Sequence, residues 1–166
     1  ATRRVDAETQ MRLWGIRQGV AVTILRAPGI YAAHRLPLDR IRRGTPALLS
    51  EEDCYTNHIH VDDLARLAWI AMFRARNQRI YHAVDAHPMK MGDWFDSCAS
   101  AFGLPRPPRV TRAEADRVLP EALLSFLRES RRLSNARTTR ELRMKYCYPA
   151  SDDLLREIQQ SRVLPQ

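Results

Sequence analysis

His58 and His60 flank Ile59 in a stretch, Tyr55 to Val61, that reads as a short strand. Alternation along a strand puts both imidazoles on one side. With Asp62 just beyond, two ring nitrogens and a carboxylate could hold a metal. A further ligand is not evident nearby, so no metal is expected. Ala27-Pro28-Gly29-Ile30 is the second stretch with chemical potential. It follows an apolar run, at the carboxyl end of a strand, where open α/β sheets place ligands. Proline fixes the turn there and glycine lets a backbone come close. No Ser or Cys has a His at an arguable distance, so nucleophilic catalysis finds no support and no catalytic residue is assigned.

The elements that must position these residues follow from hydrophobic period. Arg3 to Gln18 reads as a helix with Ala7, Met11 and Trp14 on one side, stopped at Gly19. Val20 to Leu25 is almost continuously apolar and predicts a strand buried on both faces. Pro37 to Arg43 predicts a short helix. Leu64, Leu67, Ala68, Ala71 and Met72 form a complete helical stripe, with Asp62 or Asp63 available as its cap. Arg79 to Val84 predicts a second core strand. Met91 to Phe102 predicts a helix with Phe95, Cys98, Ala99 and Phe102 inward and Gly103 at its end. Beyond the stiff Leu104-Pro-Arg-Pro-Pro108 connector, Thr111-x-x-Glu114 is a capping box. Pro120 can open another helix, Ser134-Asn135 a further one, and Ser151-Asp-Asp a last one burying Leu154, Leu155 and Ile158. The boundaries expected are 1–103 for the α/β part and 104–166 for a small helical lobe that is not an independent domain.

At 166 residues, 45% hydrophobic and 28% charged, the chain is long enough to bury a sizeable core. The richest apolar stretch, Leu64 to Phe73, is half the length of a membrane span and carries Arg66. A charge of +8 first suggests nucleic acid. Only Lys90 and Lys145 are lysines, however, and the arginines are spread from Arg3 to Arg162 without interleaved aromatics. The densest stretch, Arg128 to Lys145, reads as a solvated face with acids mixed in. Cys54, Cys98 and Cys147 are odd in number and far apart, so a reduced, cytoplasmic setting is expected, with Cys98 packed as a small hydrophobe.

Three segments stand in a telling order: Leu25-Arg-Ala-Pro-Gly-Ile-Tyr31, His58-Ile-His-Val-Asp-Asp-Leu64 and Arg79-Ile-Tyr-His-Ala-Val84. Arg3-Arg-Val-Asp-Ala-Glu8 precedes them, and Ser134-Asn135, Glu141-Leu142 and Tyr148-Pro149 follow. The set resembles the C-terminal half of the extended short-chain dehydrogenase/reductases, the NAD(P)-dependent epimerase/dehydratase family. The resemblance implies an α/β fold: the later strands of a Rossmann-like parallel sheet plus a small, mostly helical substrate lobe. Glu8 then aligns with the glutamate closing the family's active-site helix motif, which puts Arg4 at the family lysine. The family tyrosine would fall just before Ala1. An arginine keeps the charge for a ribose or phosphate oxygen but does not relay protons.

The resemblance further implies that Ala27, Pro28, Gly29 and Ile30 face the nicotinamide, and that Tyr31 and the following Ala32 to Leu36 border the substrate cleft with Asn57 and His58. Thr56-Asn57 stands where many sugar-nucleotide members carry a diphosphate-binding arginine. Such a substrate is therefore not expected unless Arg131, Arg132 or Arg137 substitutes. None of the six glycines has dinucleotide-turn spacing, and no Y-x-x-x-K occurs. The expectation is a substrate-binding half, inactive alone, of a protein using NAD or NADP, with no cofactor held by this chain by itself. The partners expected are a small polar substrate and either a missing N-terminal half or a second copy. A non-catalytic, self-associating α/β module is the alternative; an arginine-rich nucleic-acid binder is a weaker one, and no membrane association is expected.

Overall fold

The computed structural model describes residues 2–163. The first elements are α1 (Thr2–Gln18), β1 (Ile24–Arg26), β2 (Gly29–Tyr31), α2 (Leu38–Arg42), β3 (Ala47–Leu48), β4 (Tyr55–Thr56) and β5 (His58–His60). Then come α3 (Val61–Arg74), β6 (Ile80–His82), β7 (Met89–Lys90), α4 (Met91–Phe102) and β8 (Arg109–Val110). Helices α5 (Arg112–Val118), α6 (Glu121–Leu127), α7 (Ala136–Glu141) and α8 (Ser151–Val163) complete the order.

The strands pair two by two. β1 runs parallel to β6, β2 to β5, and β3 to β8, while β4 and β7 are antiparallel. Parallel neighbours need a long crossover, and α3 lies within the connection that returns the chain from β1 to β6. Ile24 sits opposite Ile80, and Gly29 opposite His58.

Three apolar cores hold these pairs. Tyr31, Trp94, Phe95, Cys98, Leu154 and Leu155 belong to one, between β2, α4 and α8. Leu48, Cys54, Ala115, Leu119 and Leu124 form the second, under α5 and α6. Ile59, Leu67, Tyr81, Ala83, Leu142 and Met144 form the third, between α3 and β6. The residues beyond 103 thus contribute to all three cores. The capping box at Thr111 and Glu114 is present, Gly103 ends α4 with φ +63°, and Ala136 N–H donates to the Ser134 hydroxyl.

The structure corrects several expectations at the first flank. Val20 to Leu25 is not a strand buried on both faces: only Ile24–Arg26 is extended and paired, and it is half-buried. β6 is its one strand neighbour among the described residues. On α1 the expected inner face, Met11 and Trp14, is about half exposed, at 53% and 48%. The helix instead touches the rest through Glu8, Arg12 and Gly15, where a Cβ on Gly15 would collide with Val22. The expected strand from Tyr55 to Val61 breaks at Asn57 into β4 and β5. On α3 only Leu67 of the predicted stripe is fully buried, while Met72, Trp69 and Phe73 point outward.

Candidate functional site

β2 and β5 lie side by side, and their register decides what the turn before β2 can do. Gly29 N–H donates to the Asn57 carbonyl at 3.1 Å. A Cβ on Gly29 would come within 2.8 Å of the His58 ring. Glycine is thus demanded here by the neighbouring strand. Ala27 packs into the third core, and Pro28 is half-buried.

A cleft of about 330 Å³ opens beside this pair. Gly29, Ile30 and Tyr31 line one wall, with Thr56 and His58 next to them. Met91, Trp94 and Phe95 of α4 line the opposite wall, and Arg35, Leu36 and Pro37 the rim. The rings interlock. Tyr31 meets Trp94 edge-on with centroids 5.6 Å apart, and His58 lies tilted on Trp94 at 4.7 Å. The lining is mostly carbon.

His58 is buried, and burial pulls its imidazole down to about pKa 4, so the ring is neutral near pH 7. Its Nδ1 has no hydrogen-bond partner among the described residues, nor have the Tyr31 hydroxyl and Asp85 Oδ2. Asp85 N–H donates to the His58 carbonyl at 2.8 Å. Burial raises the Asp85 carboxyl to about 7, against the opposing pull of the His87 amide that donates to Oδ1. Burial also raises the Tyr31 phenol, as do the nearby carboxylates of Asp85 and Asp63.

His60 has a different job. Its Nδ1 accepts from Asp62 N–H at 3.3 Å, making His60 rather than an aspartate the cap of α3, and its ring packs on Tyr148 at 3.9 Å. Asp63 is fully buried and accepts the Cys147 and Tyr148 amides at 2.9 and 2.8 Å. No group of three His, Cys, Asp or Glu side chains among the described residues is arranged to hold a metal.

Of the candidate residues, Gly29, Ile30, Tyr31 and His58 meet at the cleft. Asn57 does not line it: its amide donates to the Arg131 carbonyl and accepts from Leu133 N–H, both at 2.8 Å, pinning that segment to β5. Arg132 does not line it either, because its guanidinium lies 4.7 Å over the Tyr55 ring. Arg4 is exposed on α1, one turn before Glu8, which pairs with Arg26 at the end of β1. Arg35 and Leu36, from the Ala32 to Leu36 segment expected to border the cleft, line it. Trp94 was not expected there, although Met91, Trp94, Phe95 and Cys98 share one helical stripe.

Among the described residues no helix N-terminus carries a run of glycines. Pyrophosphate is held by amides at a glycine-rich helix N-terminus. Gly19 and Gly103 end helices and Gly44 follows one, where carbonyls face outward. Gly92 opens α4, but its amide already donates to Asp53 at 2.7 Å.

No protein-family model and no curated protein matches the chain. Solved structures do. A functionally unknown conserved protein from Silicibacter pomeroyi is 28% identical with a TM-score of 0.82, covering 97% of this chain and 55% of that one. A nucleoside-diphosphate-sugar epimerase from Pseudomonas aeruginosa is 20% identical with a TM-score of 0.71, covering 95% of this chain and 54% of that one. A human epimerase family protein solved with NADPH is 17% identical with a TM-score of 0.67, covering 85% and 49%. The chain spans about half the length of each. It has the fold of the C-terminal half of the NAD(P)-dependent epimerase/dehydratase structures, the extended short-chain dehydrogenase/reductases.

Proposed function

We propose that this chain is the substrate-side half of an NAD(P)-dependent oxidoreductase or epimerase-like protein and is inactive by itself. The cleft carries the reading: it opens beside β2, just after the carboxyl end of β1, where α/β sheets receive ligands. Arg4 supports it as well. α1 runs back along β1, so the turn before the Glu8–Arg26 pair reaches past the strand's carboxyl end, where a ribose or phosphate oxygen would need a cation. In this reading Ala27, Pro28, Gly29 and Ile30 form one side of a nicotinamide site whose phosphate cradle belongs to another polypeptide segment. Tyr31 and His58 face a small substrate bearing polar groups.

Calorimetric titration of the 166-residue chain with NADH and NADPH tests this reading. No saturable binding in the micromolar range is expected; micromolar affinity for either would overturn it.

A second reading draws on the bare first flank. The half-exposed face of α1 and the unpaired edge of β1 suit self-association or a complex with a separate first half. Light scattering should show association growing with concentration, and a monomer at high concentration would count against it. The three free cysteines suit a reduced, cytoplasmic setting, and no helix of the described residues is long and apolar enough to cross a membrane.

A further inference from the structure

We propose that the cleft takes a small carboxylate with a flat, carbon-rich body and one hydrogen-bonding oxygen, and that Arg35 selects its charge. This rests on reading the cleft as the substrate wall. Three features of the lining carry it. The rings of Tyr31, Trp94 and Phe95 offer faces and edges to a planar apolar group, which such clusters favour over a hydrated sugar. His58 Nδ1 and the Tyr31 hydroxyl, both on buried side chains of this lining, lack a hydrogen-bond partner among the described residues, so a ligand hydroxyl or carbonyl that reaches either would satisfy it.

Arg35 is the charged residue at the rim. Among the described residues it makes no ion pair, so its planar fork is open to a carboxylate. Charge counting argues against a nucleotide diphosphate. The next guanidinium, Arg40, lies 4.6 Å over Phe95 and donates to the Pro46 carbonyl at 2.9 Å. Arg42 is paired with Asp39, and Arg132 with the Tyr55 ring. One free fork matches one carboxylate better than it matches two phosphates.

Ligand-observed NMR titration of the whole chain with 3-phenyllactate, its uncharged amide and UDP-glucose tests the assignment. Phenyllactate should bind about tenfold more tightly than the amide, as one charge-assisted contact implies. Arg35→Gln should bring the two within about twofold of each other while leaving the melting temperature unchanged, because Arg35 is exposed. Trp94→Ala should weaken both alike. Absence of saturable phenyllactate binding, or equal affinity for acid and amide in the wild type, overturns the proposal. So does tighter binding of UDP-glucose, which would leave the cleft as a substrate wall but of another class. Micromolar NADH affinity would instead overturn the half-site reading, so the two failures are separable.

Discussion

The two flanks of this molecule treat their apolar residues in opposite ways. Around α4 the chain encloses itself: Cys98 and Ala99 are fully buried, and α8 lays Leu154 and Leu155 against them. Along α1 the apolar residues stay in water, with Ile16 63% exposed, and β1 has one paired edge among the described residues. Both segments are amphipathic or apolar as sequence. The difference lies in whether a neighbour exists to receive the face, because burial is a property of pairs of surfaces. The α4 wall is therefore buried against its neighbours within the described residues, whereas the first flank leaves its apolar side chains exposed.

The largest effect expected from this contrast is in core truncation. Phe95→Ala should cost about 3–5 kcal/mol in urea unfolding, while Trp14→Ala should stay within about 0.5 kcal/mol. Similar losses at both positions would erase the distinction between the flanks.

Next come the two titrating groups behind the cleft. Burial lowers His58 from its ordinary 6.5 to about 4, so the unfolded chain binds a proton the folded chain refuses. Stability from this group rises with pH between about 4 and 6.5. Burial raises Asp85 from 3.8 to about 7, so the folded chain keeps a proton the unfolded chain releases, and stability falls with pH over about 4 to 7. The two slopes oppose each other in the wild type. Asp85→Asn should expose the rising slope, by up to about 3 kcal/mol across the window, and His58→Gln the falling one, by up to about 4 kcal/mol. Urea titrations at a series of pH values would read this, and slopes of the same sign in the two variants would refute it.

Most of the fold was legible because most elements carry their own punctuation. The capping box at Thr111, the αL glycine at Gly103 and the Ser-Asp-Asp that opens α8 are local signals that tertiary packing left in force. The misreadings share a cause. Val20 to Leu25 and the Met11/Trp14 face were read as buried because hydrophobicity was taken to imply a neighbour. Asn57 and Arg132, expected at the substrate cleft, each meet a segment more than seventy residues away in sequence, a contact that no local pattern encodes. The cleft was half legible: β2 and β5 announced themselves, whereas the opposing α4 wall required knowing which helix packs there.

Two glycines sharpen the contrast with smaller effects. Gly92→Ala places a Cβ inside the Arg109 guanidinium, which holds Asp96 at 2.6 Å. Displacing that pair should cost about 1–3 kcal/mol, the scale of overpacking. Gly19 has φ +65° and open space around it, so Gly19→Ala should cost only about 1 kcal/mol, as backbone strain. Thermal melts of the two variants would rank them, and the reverse order would contradict the packing described. The smallest change in stability is expected for Trp14→Glu, within about 0.5 kcal/mol, although the same variant should reduce any concentration-dependent association seen by light scattering.

Hydrogen exchange at a concentration where the chain is monomeric tests the contrast most directly. Amides of residues 3–26 should exchange orders of magnitude faster than those of residues 94–102, whose helix is sealed between cores. Equal protection of the two segments would contradict the contrast between an enclosed flank and an open one.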